Sequence, residues 1–175
     1  GGGMYNANSS NPTLENCTFT NNIASNSSGG GMYNDNSSSP TLTDCTFTNN
    51  TANDGRGGAM YNGDSSTTLT DCTFTCNTAT FGGGMFNSYN SNPTLTNCMF
   101  TSNVNSFIGG GMYNASSSPT MTNCTLTGNP PDVCGRGMGN DSSSPTLTDC
   151  TFTNNSAEVS GGGMYNQNSS DPMLM

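Results

Sequence analysis

Histidine, lysine and tryptophan are absent from this 175-residue chain, and Arg56 and Arg136 are its only cations. Each absence removes a class of function. Without histidine there is no imidazole base, no Ser–His or Cys–His nucleophile pair and no histidine metal ligand. A net charge of −9 offers too little positive charge to replace the counterions of a phosphate backbone, which excludes nucleic acid as a partner. No apolar run approaches the roughly 20 residues of a membrane span, so no membrane insertion is expected within this segment. Apolar residues make up 30% of the chain and charged residues 7%. Composition alone would read as disorder.

The order of the residues says otherwise. Asn (28), Thr (26), Ser (24) and Gly (23) dominate, and they recur with a period. An element GGGMYN places Met4, Met32, Met60, Met85, Met112, Met138 and Met164 at steps of 25 to 28 residues. A second element, PTLT-D/N-CTFTNN, places Cys17, Cys45, Cys72, Cys98, Cys124 and Cys150 at similar steps. Such a period marks stacked structural repeats.

Within a unit, apolar and polar residues alternate with period two, the pattern of a half-buried strand. Leu14, Leu42, Leu69, Leu95, Met121 and Leu147 are flanked by Thr or a polar residue. Each Cys shares a face with Phe19, Phe47, Phe74, Phe100, Leu126 or Phe152. Leu and Cys are three residues apart, so the chain must turn a corner at the Asn or Asp before each Cys. About three short strands per unit are expected, with Met inward and the following Tyr outward. One unit cannot bury its apolar face alone, whereas stacked units place like residue on like. The expected fold is an all-β parallel solenoid of six to seven coils, with residues 1–175 forming a single array. The chain opens at GGG without an initiator Met and stops mid-unit at Pro172-Met173-Leu174-Met175; an excerpt of a longer chain is expected.

The pairing of a GGA-apolar element with an FxxN element resembles the repeats of chlamydial polymorphic outer-membrane proteins and related adhesin-like surface proteins. FxxN is matched at Phe19–Asn22, Phe47–Asn50, Phe74–Asn77, Phe100–Asn103 and Phe152–Asn155, with Leu126 replacing Phe in the fifth copy. Gly58-Ala59-Met60 matches the other half, which elsewhere reads GGGM. The resemblance implies a right-handed parallel β-helix displayed outside the cell or on its surface. The expected role is structural, as a rod, filament or stalk that associates with itself end to end or laterally.

Several features bear on chemistry. The cysteine ladder reads as buried reduced thiols, since no CxxC spacing suggests a metal knuckle. Cys76 and Cys134 lie off the ladder and are candidates for a mutual disulfide. The corner residues Asn16, Asp44, Asp71, Asn97, Asn123 and Asp149, like the ladder Asn22 to Asn155, read as caps of the bends. Stacked Asp44 and Asp71 are the candidate pair for Ca²⁺, the only cofactor considered.

Outward Thr pairs form two ranks. One holds Thr18, Thr20, Thr46, Thr48, Thr73, Thr75, Thr125, Thr127, Thr151 and Thr153, interrupted at Met99; the other runs from Thr41/Thr43 to Thr146/Thr148. Such TxT ranks resemble those of insect antifreeze proteins, which implies ice binding as an alternative function. An aromatic row of Tyr5, Tyr33, Tyr61, Phe86, Tyr113 and Tyr165, broken by Gly139, is expected at or near the surface and offers a glycan-binding alternative. Among the Asn-x-Ser/Thr sequons, Asn36, Asn114 and Asn168 are the loop candidates for glycosylation. Pectin-cleaving enzymes resemble the expected architecture. Their sites need clustered acids beside a basic residue, and no such cluster is spelled here, so an enzyme is not expected.

Overall fold

The computed structural model describes residues 1–130, 137–159 and 161–175. Short strands follow one another through these residues, with no helix among them. Each strand pairs in parallel with its equivalent one coil away. Met4 lies on Met32 and Met32 on Met60, Leu42 on Leu69, Phe47 on Phe74. The result is a parallel β-solenoid of about six turns.

Four sheets form its walls. A seven-stranded Met sheet runs from Met4–Asn6 to Met164–Gln167, and a seven-stranded Leu sheet from Thr13–Glu15 to Met173–Leu174. A six-stranded Phe sheet runs from Thr18–Thr20 to Thr151–Thr153. The fourth sheet holds Ile23–Ser25, Thr51–Arg56, Thr78–Phe81 and Val104–Ile108. The coils that carry this sheet have four strands, where the sequence pattern predicts about three. The strands of the fourth sheet share no common motif, and their inward residue is only Ala or Asn, so no alternation of large apolar residues shows. Ala24, Ala52 and Ala79 are nonetheless buried in register.

The corners follow from residue chemistry. Asn16, Asp44, Asp71, Asn97, Asn123 and Asp149 all hold φ between 51° and 54°, in the left-handed region that Asn and Asp tolerate best among residues with a side chain. That reversal lets Leu and Cys, three apart, both face inward. A second left-handed corner follows each TFT strand, at Asn21, Asn49, Cys76, Ser102, Gly128 and Asn154. Cys76 thus occupies a turn position and is exposed.

The glycine run has a mechanical reason. Gly57 sits at φ +66°, and a Cβ on Gly58 would collide with the Gly83 carbonyl of the next coil. Only glycine allows coils to approach so closely there. Inside, Met32, Met60, Met85 and Met112 meet the Leu, Cys and Phe ladders in one continuous core. Phe47, Phe74 and Phe100 stack with centroids 4.9 and 4.5 Å apart and nearly parallel planes, which reports the rise per coil directly.

Candidate functional site

Two asparagine ladders run through the interior. Asn50, Asn77, Asn103 and Asn129 are fully buried, and each side chain accepts from the Asn below it and donates to the Asn above. Each also donates to the carbonyl of the Phe strand one coil away, as Asn77 Nδ2 does to Phe47 O at 3.0 Å. A second ladder went unnoticed in the sequence. Asn34, Asn62, Asn87, Asn114 and Asn140, in the MYN strands, are buried and linked amide to amide at 2.8–2.9 Å. Period two could have found it, because an Asn two residues after an inward Met must also point inward. Asn114 therefore leaves the set of candidate glycosylation sites. Asn36 and Asn168 are exposed, with Asn168 Nδ2 donating to Asp141 Oδ1 at 2.7 Å.

The ladder cysteines are free thiols, with Cys45, Cys72, Cys98 and Cys124 buried. Their S–H groups donate to carbonyls two residues back, as Cys72 does to Thr70 O at 3.3 Å. Burial pushes the Cys45 thiol up from its ordinary value, and hydrogen bonding to Cys124 and Cys72 raises Cys98 further. Cys134, the candidate disulfide partner of Cys76, and Arg136 lie outside the described residues.

At the corners, Asp44 and Asp71 are exposed. Asn97 Nδ2 donates to Asp71 Oδ1 at 2.9 Å, and Asn123 continues the chain of bonds to Asn97 at 2.8 Å. Among the described residues no three His, Cys, Asp or Glu side chains gather around one point. The Thr ranks lie in register on the outside. On the Leu sheet, Thr41, Thr68, Thr94, Thr120 and Thr146 form one unbroken column. On the Phe sheet, Met99 interrupts Thr46, Thr73 and Thr125.

The aromatic row differs most from expectation. Its rings do point away from the Met core, and Tyr5 is exposed, but Tyr61, Phe86 and Tyr113 are buried. The cause is the missed fourth sheet. Its strands end on Arg56, Phe81 and Ile108, which are register partners and fold over the row as a second layer. Gly139 breaks the row because the space is taken: a Cβ there would lie 2.5 Å from Ile108 Cγ2 and 2.8 Å from Tyr113 Cδ2.

Between this overhang and the Ser88–Tyr89 and Ser116 turns lies a pocket of about 280 Å³. The Arg56 guanidinium sits 5.2 Å from the Phe86 ring centroid, a cation–π contact. Phe81 tilts against Tyr113 at 6.0 Å and against exposed Phe107 at 5.2 Å. Ser88 Oγ donates to Tyr61 Oη at 3.2 Å, and Tyr113 Oη donates to Asp141 Oδ2 at 3.4 Å. This place combines a cation, aromatic faces and a concave surface.

A family model for the right-handed β-helix region matches residues 1–138. The chain belongs to that family, and its solenoid is right-handed accordingly. No curated protein and no solved structure matches the chain.

Proposed function

We propose that this right-handed β-helix is an extracellular structural repeat, a rod that serves as a fibre segment or surface stalk and carries out no catalysis. One observation carries the reading: core and asparagine ladders pass from coil to coil through buried, in-register contacts. A column so bonded resists bending and shear, because each coil is tied to the next along the Met, Leu and Phe walls, and the four coils from Ile23 to Ile108 along the fourth as well. The likeness of the FxxN elements to surface-displayed repeats supports a location outside the cell. Self-association end to end or laterally belongs to the same reading, since a stacked coil presents pairing edges at its ends. Electron microscopy tests it. Thin rods or filaments with an axial repeat of about 4.8 Å are expected; compact particles that cleave a polysaccharide would overturn it.

The unbroken Thr column of the Leu sheet favours a second reading, ice binding on one flat face. Thermal hysteresis that disappears in Thr68→Leu and Thr94→Leu would support it. Unaltered ice growth in the wild-type protein would remove it.

A further inference from the structure

In a repeat protein the consensus is scaffold, and positions that depart from it deserve a reason of their own. Two departures, Phe86 and Tyr89, meet two side chains from a position that has no consensus, Arg56 and Phe81, in the pocket beside the aromatic row. Arg56 and Phe81 occupy one register position in neighbouring coils of the fourth sheet. Phe86 stands where Tyr33, Tyr61 and Tyr113 stand in other coils. Tyr89 stands where Asn8, Asn36 and Asn168 stand, and it keeps their left-handed backbone, at φ 56°. Asn adopts that conformation readily; for a bulky aromatic residue it is strained. The strained ring is not spent on packing, since Tyr89 is 66% exposed at the pocket rim.

We propose that this pocket binds a small planar aromatic carboxylate, its ring against Phe81 and Tyr89 and its carboxylate on the Arg56 guanidinium. The charge argument comes first. Arg56 is exposed in a strongly acidic chain, and its guanidinium rests on the Phe86 ring with no carboxylate pairing it among the described residues. A guanidinium so placed retains its fork of donors for an incoming anion. The hydrogen-bonding argument separates an aromatic acid from a sugar. A pyranose presents a rim of hydroxyls that must all be satisfied. Here the Ser88 hydroxyl is engaged by Tyr61 and the Tyr113 hydroxyl by Asp141. The remaining lining adds the Tyr89 and Ser116 hydroxyls and is otherwise the apolar surface of Phe81, Phe86 and Ala115, suited to a flat ring with one charged edge. The volume of about 280 Å³ lies at the small end of ligand pockets and matches a single-ring ligand.

Titration of the 175-residue chain with 4-hydroxybenzoate, its methyl ester and galacturonate, followed by NMR, tests the proposal. Saturable binding of the acid is expected, with the ester at least about tenfold weaker, the loss of one charge-assisted contact. Arg56→Gln removes the difference between acid and ester. Tyr89→Asn weakens the acid about threefold or more, and this variant restores the residue that other coils carry, so its fold is secure. Equal binding of acid and ester, acid binding that survives Arg56→Gln, preference for galacturonate, or no saturable binding of the acid would each overturn the proposal.

Discussion

Asn103 Oδ1 accepts two hydrogen bonds from Asn77, one from the backbone N–H at 3.1 Å and one from Nδ2 at 2.9 Å. Asn103 Nδ2 then donates to Phe74 O at 2.9 Å and to Asn129 Oδ1 at 3.3 Å. A single side chain thus ties three coils together in a place water does not reach. Asn103→Ala leaves the Asn77 N–H and the Phe74 carbonyl short of a buried partner. Destabilisation of about 2–4 kcal/mol is expected from orphaned groups of this kind. Denaturant midpoints measure it, with Thr20→Ala on the solvent face as a control that stays within about 0.5 kcal/mol.

The Phe ladder gives a complementary test in which shape, not hydrogen bonding, is removed. Phe74 is fully buried between Phe47 and Phe100. Phe74→Ala opens a cavity between two rings and is expected to cost about 3–5 kcal/mol. Phe74→Leu is expected to cost under about 1.5 kcal/mol, because Leu126 already fills the equivalent place above Phe100. Equal costs for the two variants would show that the ladder does not pack as described.

These two ladders also show what was legible in the sequence. Leu, Cys and Phe positions followed from alternation and the corner between Leu69 and Cys72, because side-chain direction in a strand depends only on parity. The fourth sheet escaped because its inward residues are small or polar, Ala79 and Asn105 among them, and because its register shifts between Ala79 and Phe81. The pocket escaped with it. Nothing local to Phe86 says that Phe81, five residues earlier, will fold back over the aromatic row; that follows only from how the overhang stacks. Asn114 is the opposite case: its sequon suggests a loop, whereas its parity with Met112 turns it inward in the strand.

The corner ladder tests the calcium candidate. Asp44 and Asp71 occupy equivalent corners of adjacent coils, whereas Asp71 and Asn97 make a hydrogen bond at the same place one coil on. Asp44→Asn is expected to stabilise the chain by about 0.2–1 kcal/mol, by replacing like charges with a donor–acceptor pair. Melting of the wild-type protein with and without calcium accompanies the measurement. A calcium-dependent rise that Asp44→Asn abolishes would establish the ion site instead.

Alkaline stability tests the burial of the aromatic row and of the cysteine ladder. Burial, followed by the nearby Tyr61 and Asp35, pushes the Tyr33 hydroxyl from 10.0 up to about 12. Cys45 is raised from 9.0 by burial. In both cases the folded chain holds its proton more tightly than the unfolded chain. Their contribution is therefore complete below pH 9 and is lost as pH rises through the folded values. The denaturation midpoint is expected to be level up to about pH 9 and to fall between pH 10 and 12. Tyr33→Phe should flatten the upper part of that decline; an unchanged decline would remove Tyr33 as its source.

Tyr89 sets stability against binding in one residue. Its backbone, at φ 56°, is the conformation that Asn36 and Asn168 adopt at the same place in their coils, at φ 52° and 51°. An L-residue in the left-handed region costs roughly 1–2 kcal/mol, and Asn recovers part of that through its short polar side chain. Tyr89→Asn is therefore expected to stabilise the protein by about 0.5–1 kcal/mol, since the exposed ring forfeits little packing. The same substitution is expected to weaken an aromatic carboxylate at the Arg56 pocket. A gain in stability with a loss of binding is the signature of strain retained for a ligand. Should Tyr89→Asn instead destabilise the fold, the ring would be a structural part of the turn and the strain argument would fail.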